Sequence, residues 1–347
     1  MKPEICIAGL MPEELSDVLV HEGREAYRAR QVLEWVFRKG VIDFNSMTDL
    51  SRSARQEYAA RLRVVCLEIV TRAISQVDTT EKFLLRTDSG ESVEAVYIPS
   101  GARRTVCIST QMGCPVGCAF CASGARGCQG NLSAGEIVSQ VLLVMAGRPN
   151  PKPTNIVFMG MGEPFLNYAA TVKAVRILNH AQCLGVAARK ITISTCGLPD
   201  EIRRFSAEGL QAELSISLHA ADDQLRSRLV PINKQYPLSG LMSAAREYVQ
   251  RTHRIITFEY VMLKGVNDSA AHAQKLARLL RGLACKVNLI PFNAVANSQF
   301  QPSTSAGVRV FQQTLERLKM TVTLRRSRGE DINGACGQLR RTQAEAV

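Results

Sequence analysis

The spacing of apolar positions along the chain changes twice, and each change marks a different kind of structure. From residue 12 to 64 the pattern is helical: "REAYRARQVLEWVFRKG" places Tyr27, Val32, Trp35 and Val36 at helical spacing, and Gly40 supplies a stop. "SMTDLSRSARQEYAARLRV" repeats that pattern behind Ser and Thr capping candidates. From 65 to about 110 the texture turns to strand: "CLEIVTRAIS", "EKFLLRT", a "DSGES" turn, "VEAVYIP" and "RTVCIST". Beyond it, apolar strands "TNIVFMG", "KITISTCG", "AELSISLHA", "ITFEYVML" and "KVNLIPFN" alternate with helical stretches such as "SAGEIVSQVLLVM", "YAATVKAVRILNH" and "HAQKLARLLRG".

With "RTVCIST" in front, these make six βα-type units, which predict a parallel sheet with right-handed crossovers. Six units are too few to close an eight-fold barrel, so the expected fold is α/β, a partial (βα)6 barrel of the TIM type. Its expected parts are a helical accessory domain at 1–64, a small β extension at 65–99, the core at 100–329 and a tail at 330–347. In such barrels chemistry sits at the C-terminal ends of the strands. Attention therefore falls on Cys114, "GMGEP", "STCG", "SLH" and "PFN".

Composition narrows the class. The 347 residues are 46% hydrophobic, enough for a sizeable core, and no run of eighteen apolar residues occurs. The first residues lack a basic head followed by an apolar stretch, so neither a membrane span nor a secretory signal is expected. Eleven cysteines, an odd number, point to a reducing cytoplasm and to metal or redox thiols rather than a disulfide framework. A formal charge of +12 favours a polyanionic partner, nucleic acid first.

"QMGCPVGCAFCASG" carries the most specific chemistry. Cys114, Cys118 and Cys121 are spaced four and then three residues apart. That spacing also fits one face of a helix, but Gly113, Pro115 and Gly117 would cost a helix interior about 4–5 kcal/mol. Zinc is a second reading, with a distant fourth ligand closing the site. The third is a [4Fe–4S] cluster held by three thiolates with one iron left open, and here the spacing resembles the signature of the radical S-adenosylmethionine (SAM) superfamily.

Further segments extend the resemblance to one family, the adenine methyltransferases of RNA of the RlmN and Cfr type. "YRARQVLEWVF" and "FNSMTDLS" resemble its N-terminal domain. "VEAVYIP", "CISTQMGC", "MGMGEP", "STCG", "SISLHA", "VPINK", "FEYVMLKGVND", "NLIPFN" and "RGEDINGACGQL" follow in the family's order. The resemblance implies cluster ligands Cys114, Cys118 and Cys121. It implies SAM contacts at Gly162, Glu163, Ser194, Ser217, Leu218, His219 and Asn293. A carboxylate and exposed backbone carbonyls suit the ammonium of SAM's methionine part.

By the same resemblance, Cys336 becomes methylated and carries the one-carbon unit, Cys107 is the second catalytic cysteine, and Glu94 is the proton acceptor. Two molecules of SAM are used: one methylates Cys336, and the other yields a 5′-deoxyadenosyl radical that removes hydrogen from that methyl. The carbon radical adds to adenine, and a transient Cys107–Cys336 disulfide releases the product. The chemistry is coherent, because an electron-poor ring carbon is no nucleophile and a thiolate can displace a sulfur-bound group. Taken alone, Cys107 in its apolar strand reads as core. Cys336 lies in a flexible-looking stretch, and Glu94 fits an exposed edge equally well. Cys6, Cys66, Cys128, Cys183, Cys196 and Cys285 read as packing residues.

The implied activity is methylation of adenine C2 in 23S rRNA, with tRNA a second substrate, an electron donor as partner and a monomeric state. Methylation at C8 and a zinc-stabilised, non-catalytic RNA-binding protein are the alternatives. Arg103, Arg104, Arg325, Arg326, Arg328, Arg340 and Arg341 are expected to bracket the mouth and contact the RNA backbone. Cys128 stands where the family more often has an aromatic residue.

Overall fold

Residues 5–64, helix-patterned from residue 12, fold as short helices closed by a strand clasp. In the computed structural model, which describes residues 5–295 and 298–340, β1 (Ile5–Cys6) pairs in parallel with β2 (Leu62–Arg63). Between them lie α1 (Pro12–His21), α2 (Tyr27–Leu33) and α3 (Arg52–Arg61). Ser51 caps α3 by accepting from the Ala54 amide at 3.2 Å. After α2 the chain widens into a π turn over Glu34–Arg38. Val32 and Val36 are buried as the spacing predicts, but Tyr27 is 53% exposed. Trp35 is half-buried with the Lys39 ammonium 3.4 Å from its ring centroid.

Next come β3 (Glu68–Ile74), β4 (Glu81–Arg86), β5 (Ser92–Ser100) and β6 (Arg103–Cys107), antiparallel in sequence. A small hairpin of β7 (Gln111–Gly113) and β8 (Cys128–Asn131) clamps the base of the cysteine loop. Gly113 there has φ +94°, and a side chain on it would collide with the Gly127 carbonyl.

The alternating half then begins with α4 (Ala134–Met145), whose start is a capping box of Ser133 and Glu136. It continues as β9 (Asn155–Phe158), α5 (Tyr168–Asn179), β10 (Ile191–Thr195), α6 (Pro199–Ser206) and β11 (Glu213–Ser217). Then follow α7 (Asp223–Leu229), α8 (Leu238–Thr252), β12 (Ile256–Met262), α9 (Ala270–Leu279) and β13 (Cys285–Pro291). Last are α10 (Ser305–Arg317) and β14 (Val322–Leu324).

One ten-stranded sheet runs in the order β14-β13-β12-β11-β10-β9-β6-β5-β4-β3. From β6 to β14 every neighbouring pair is parallel. The β extension is therefore continuous with the barrel sheet. The barrel has a seventh parallel strand beyond the six that the apolar pattern marks. That strand, β14, spans three residues, two of them exposed, so it carries no apolar run to announce it.

A buried cation fixes the C-terminal ends of the central strands. Arg226, on α7, is 0% exposed. It donates to the carbonyls of Cys196 at 2.5 Å, Ser217 at 3.1 Å and Leu218 at 3.1 Å, and to the Asn233 amide oxygen at 2.7 Å. Replacing it by a hydrophobe of similar length orphans several buried acceptors, each at about 1–3 kcal/mol. Arg226→Met is expected to lower the unfolding free energy by about 3–5 kcal/mol, measured as a fall in the urea midpoint.

Candidate active site

The three loop cysteines are presented by irregular chain. The Cys114 amide donates to the Gly127 carbonyl at 3.1 Å and the Cys121 amide to the Cys118 carbonyl at 3.1 Å. Cys114, Cys118 and Cys121 line one cleft of about 990 Å³, its open mouth included. Burial pushes the Cys114 thiol up to about 12 and the Cys118 thiol well above the usual thiol range, with neighbouring thiols adding to it. Cys128 is half-buried in β8, its thiol near the Gly130 carbonyl at 3.5 Å.

Residues at the strand ends face the same cleft: Gly162, Glu163, Ser194, Ser217, His219 and Asn293. A Cβ on Gly162, which has φ +103°, would lie 2.7 Å from the Gln111 Cβ, so only glycine lets these segments approach. Glu163 is 3% exposed. It accepts from the Cys196 amide at 2.7 Å and the Phe165 amide at 3.1 Å. Burial raises its carboxyl despite those bonds, and among the described residues it has no ion-pair partner. The Ser194 and Ser217 hydroxyls stand 3.5 Å apart. Leu218 is fully buried and does not line the cleft.

His219 has φ +61°, and its Nδ1 accepts from the Val261 amide at 3.0 Å. The proton of this neutral ring therefore sits on Nε2. Burial, reinforced by the Arg226 charge, holds its pKa down at about 3.

The stretch around Cys336 is stitched down rather than free. The Asn293 amide donates to the Cys336 carbonyl at 3.0 Å and the Gln338 amide to the Ala294 carbonyl at 2.9 Å. The Ala122 amide donates to the Gly337 carbonyl at 2.8 Å, and the Ser123 hydroxyl to the Leu339 carbonyl at 2.7 Å. Glu94, 3% exposed, accepts from the Arg340 amide at 2.8 Å and pairs with Lys82 at 3.0 Å. Glu94 thus anchors the tail and lines neither this cleft nor the second one described next.

A second cavity, about 2020 Å³ with its open mouth, is walled by the starts of the parallel strands. Cys107 lines it. Cys336, Glu259, Arg325 and Asn293 line both cavities. Burial pushes the Cys107 thiol up to about 12, with Arg325 opposing the shift and Cys336 adding to it. The Cys336 thiol is likewise raised by burial, against the pull of Arg325. All eleven cysteines are free thiols. Arg103, Arg325, Arg326 and Arg328 meet in this cavity, whereas Arg104 donates to the Lys152 carbonyl away from it. Arg341 lies outside the described residues.

Residues 108–277 match the Radical SAM superfamily, and residues 5–64 match the ribosomal RNA large subunit methyltransferase N-terminal domain. Over 329 residues, 95% of its length, the chain is 44% identical to the probable dual-specificity RNA methyltransferase RlmN of Thermoanaerobacter sp. (strain X514), covering 96% of it. The chain belongs to the RlmN family of radical SAM methyltransferases. It is 43% identical over 96% of its length to the corresponding protein of Geobacillus kaustophilus, covering 92% of that relative. It also superposes on the crystal structure of a radical SAM methyltransferase from Sphaerobacter thermophilus with a TM-score of 0.93 at 45% identity, covering 96% of this chain and 99% of that one.

Membership of this superfamily implies a [4Fe–4S] cluster and SAM. The residues present fit both. Three thiols face one cleft, and a buried carboxylate with no cationic partner stands beside them, suited to an ammonium. Among the described residues no group of three or more His, Cys, Asp or Glu side chains is arranged to hold a single metal ion. The family places the site outside the zinc-stabilised, non-catalytic alternative.

Three participants escape a reading by motif. Cys196, taken as packing, lines the cleft and donates to Glu163. Arg325, taken as a contact to the RNA backbone, stands between the two cavities. Glu259 does too, and its signal was present: a carboxylate inside the apolar run "ITFEYVML".

The depressed pKa of His219 has a definite sign. Between pH 6.5 and about 3 the unfolded chain holds a proton that the folded one refuses. Its stabilisation is complete above 6.5 and is lost as pH falls, with a slope of up to about 1.4 kcal/mol per pH unit. Urea titrations from pH 7 to 4 should show wild type losing stability more steeply than His219→Gln by about that amount.

Proposed function

We propose that this protein methylates carbon C2 of an adenine in RNA, 23S rRNA first and tRNA second, with Cys336 as the carrier of the one-carbon unit. The observation that carries the reading is the position of Cys336. It lies in the wall shared by the two cavities, with the loop cysteines on one side and Cys107 on the other. When bound, the cluster and SAM supply the methyl group and the radical chemistry that an electron-poor ring carbon requires.

The chain's own residues do the rest. Cys114, Cys118 and Cys121 hold the cluster. Glu163 accepts from the ammonium of SAM, and Gly162, Ser194, Ser217, His219 and Asn293 form the pocket around it, with Leu218 packed behind them. Asn293 also holds the Cys336 backbone at the partition. For release, the Cys107 thiolate attacks the Cys336 sulfur: an S–S bond forms, the S–C bond to the product breaks, and its electron pair stays with the methylene carbon, which takes a proton from solvent to become the methyl group. Arg325, near both thiols, favours their thiolate forms. Glu94, the carboxyl that the family resemblance casts as proton acceptor, lies outside both cavities and here holds the Arg340 amide and Lys82, its pKa raised by burial.

Around the second cavity stand Arg103, Arg189, Lys190, Lys286, Arg326 and Arg328. None makes an ion pair among the described residues, which supports a phosphate-binding rim. The adenine must leave its stack to pass that rim. The same reading divides the chain into an accessory domain (1–64), extension (65–99), core (100–329) and carrier tail (330–347), acting as a cytoplasmic monomer with a separate electron donor. Among the described residues no helix is long and apolar enough to cross a membrane.

Cys336→Ala is expected to abolish RNA methylation, and Cys107→Ala to leave RNA covalently joined to the protein, seen as a nuclease-sensitive shift on denaturing gels. Free methylated RNA from Cys107→Ala would contradict the assigned role. Mass spectrometry of the modified nucleoside against 2-methyl- and 8-methyladenosine standards should show the 2-methyl product. An 8-methyl product would replace C2 by C8.

A further inference from the structure

The partition between the two cavities holds a buried carboxylate, Glu259, and a half-buried guanidinium, Arg325, that do not bind one another. Glu259, on β12, is 4% exposed in a strand buried along its whole length. One carboxylate oxygen accepts from the Asn288 amide at 2.7 Å. Asn288 is held in that orientation because its own oxygen accepts from the Thr323 hydroxyl at 2.8 Å. This arrangement fixes the carboxylate as an acceptor; the Ser215 hydroxyl bonds to it as well and Lys286 adds its charge, while the residue lines both cavities. Arg325 lies just beyond β14, tied by its amide to the Leu289 carbonyl at 2.9 Å. Its guanidinium contacts the Met159 sulfur at 3.5 Å. Among the described residues Arg325 and Glu259 form no ion pair, although each feels the other's charge.

A buried carboxylate left unjoined to the guanidinium that lines the same wall is costly unless a third group bonds to it. An adenine edge has the matching order of groups, an exocyclic amine that donates beside a ring nitrogen that accepts. A 6-oxo purine places an acceptor where the amine stands and would face the carboxylate with its lone pairs. Resting on the RNA methyltransferase reading, we propose that Glu259 and Arg325 are the base-reading pair of this site. Glu259 accepts from the adenine N6 amine, and Arg325 donates to the adjacent ring nitrogen. Both residues line the wall where Cys336 stands, so the pair selects the base at the place where carbon is delivered.

The test uses the full-length, cluster-loaded enzyme and an RNA hairpin that wild type methylates. Its companion carries inosine in place of the methylated adenosine. Wild type should favour adenosine over inosine by about 100-fold or more in kcat/KM, since a site built around a hydrogen bond rejects the analogue that reverses it. Glu259→Gln, whose amide also donates, should narrow that ratio about 10- to 100-fold. A second variant probes the other half. Replacing N1 or N7 of the target adenine by C–H should slow wild type about 10- to 100-fold for one of the two, and the loss caused by Arg325→Met should be smaller by about that factor with that hairpin than with the unmodified one.

An adenosine-to-inosine ratio unchanged in Glu259→Gln, with or without a lower overall rate, overturns the role of Glu259. Additive losses for Arg325→Met with both deaza hairpins overturn that of Arg325. Methylation of Cys336, followed separately by protein mass spectrometry, keeps the two levels apart. Wild-type enzyme that methylates Cys336 but no RNA sinks the RNA reading itself, whereas retained RNA methylation with unaltered discrimination sinks only the pair.

Discussion

The site depends on one stretch of backbone held between a buried anion and a buried cation. The Cys196 amide donates to the Glu163 carboxylate at 2.7 Å, and the Cys196 carbonyl accepts from Arg226 at 2.5 Å. Neither charge is tolerable alone in an apolar interior, and here they are linked through a peptide rather than by direct contact. Arg226 reaches on to the carbonyls of Ser217 and Leu218, so the ends of β10 and β11 are tied to one group. Ser194, Ser217 and His219 face the cleft from those ends. Their positions are set by charge satisfaction as much as by sheet geometry.

The loop and tail are attached to that frame by weaker means. The loop's cysteines hang on a short hairpin and a few amide bonds, and the tail bonds back to the loop through Ala122 and Ser123. On its other side the tail meets Asn293, Ala294 and Glu94. Cys336 is thereby held against both cavities, while Cys107 comes from β6, where the antiparallel extension meets the parallel barrel. The extension contributes to the site through this junction, and through Glu94 on β5.

Much of this was legible in the sequence, because the signals are local. Strand texture marked β3 to β6, period-two and period-3.6 runs marked the barrel units, and Gly113 and Gly117 excluded a helix through the cysteines. What escaped detection depends on contacts across the fold. The strand β14 lacks an apolar run because it is three residues long with two of them exposed, and the π turn after α2 has no compositional signature. "NGACGQ" looks like a free tail because its partners, Asn293, Ala122 and Glu94, are 40 to 250 residues away. Cys196 looked like packing because the part it plays is made by its backbone. Glu259 carried a signal that local reading passes over: a carboxylate in an all-apolar strand has to be accounted for by something it binds.

The contrast between frame and tail bears on how one thiol faces two chambers. Each stitch on the tail is a neutral hydrogen bond, or a single amide to carboxylate, with a net worth of about 1–3 kcal/mol. Releasing one or two of them costs no more than a local opening does in folded proteins generally. The Glu163–Cys196–Arg226 link has no such option, since parting it strands two charges in the interior. The fold therefore places its charged links in the walls at the strand ends and its neutral, weaker ones on the segment carrying Cys336.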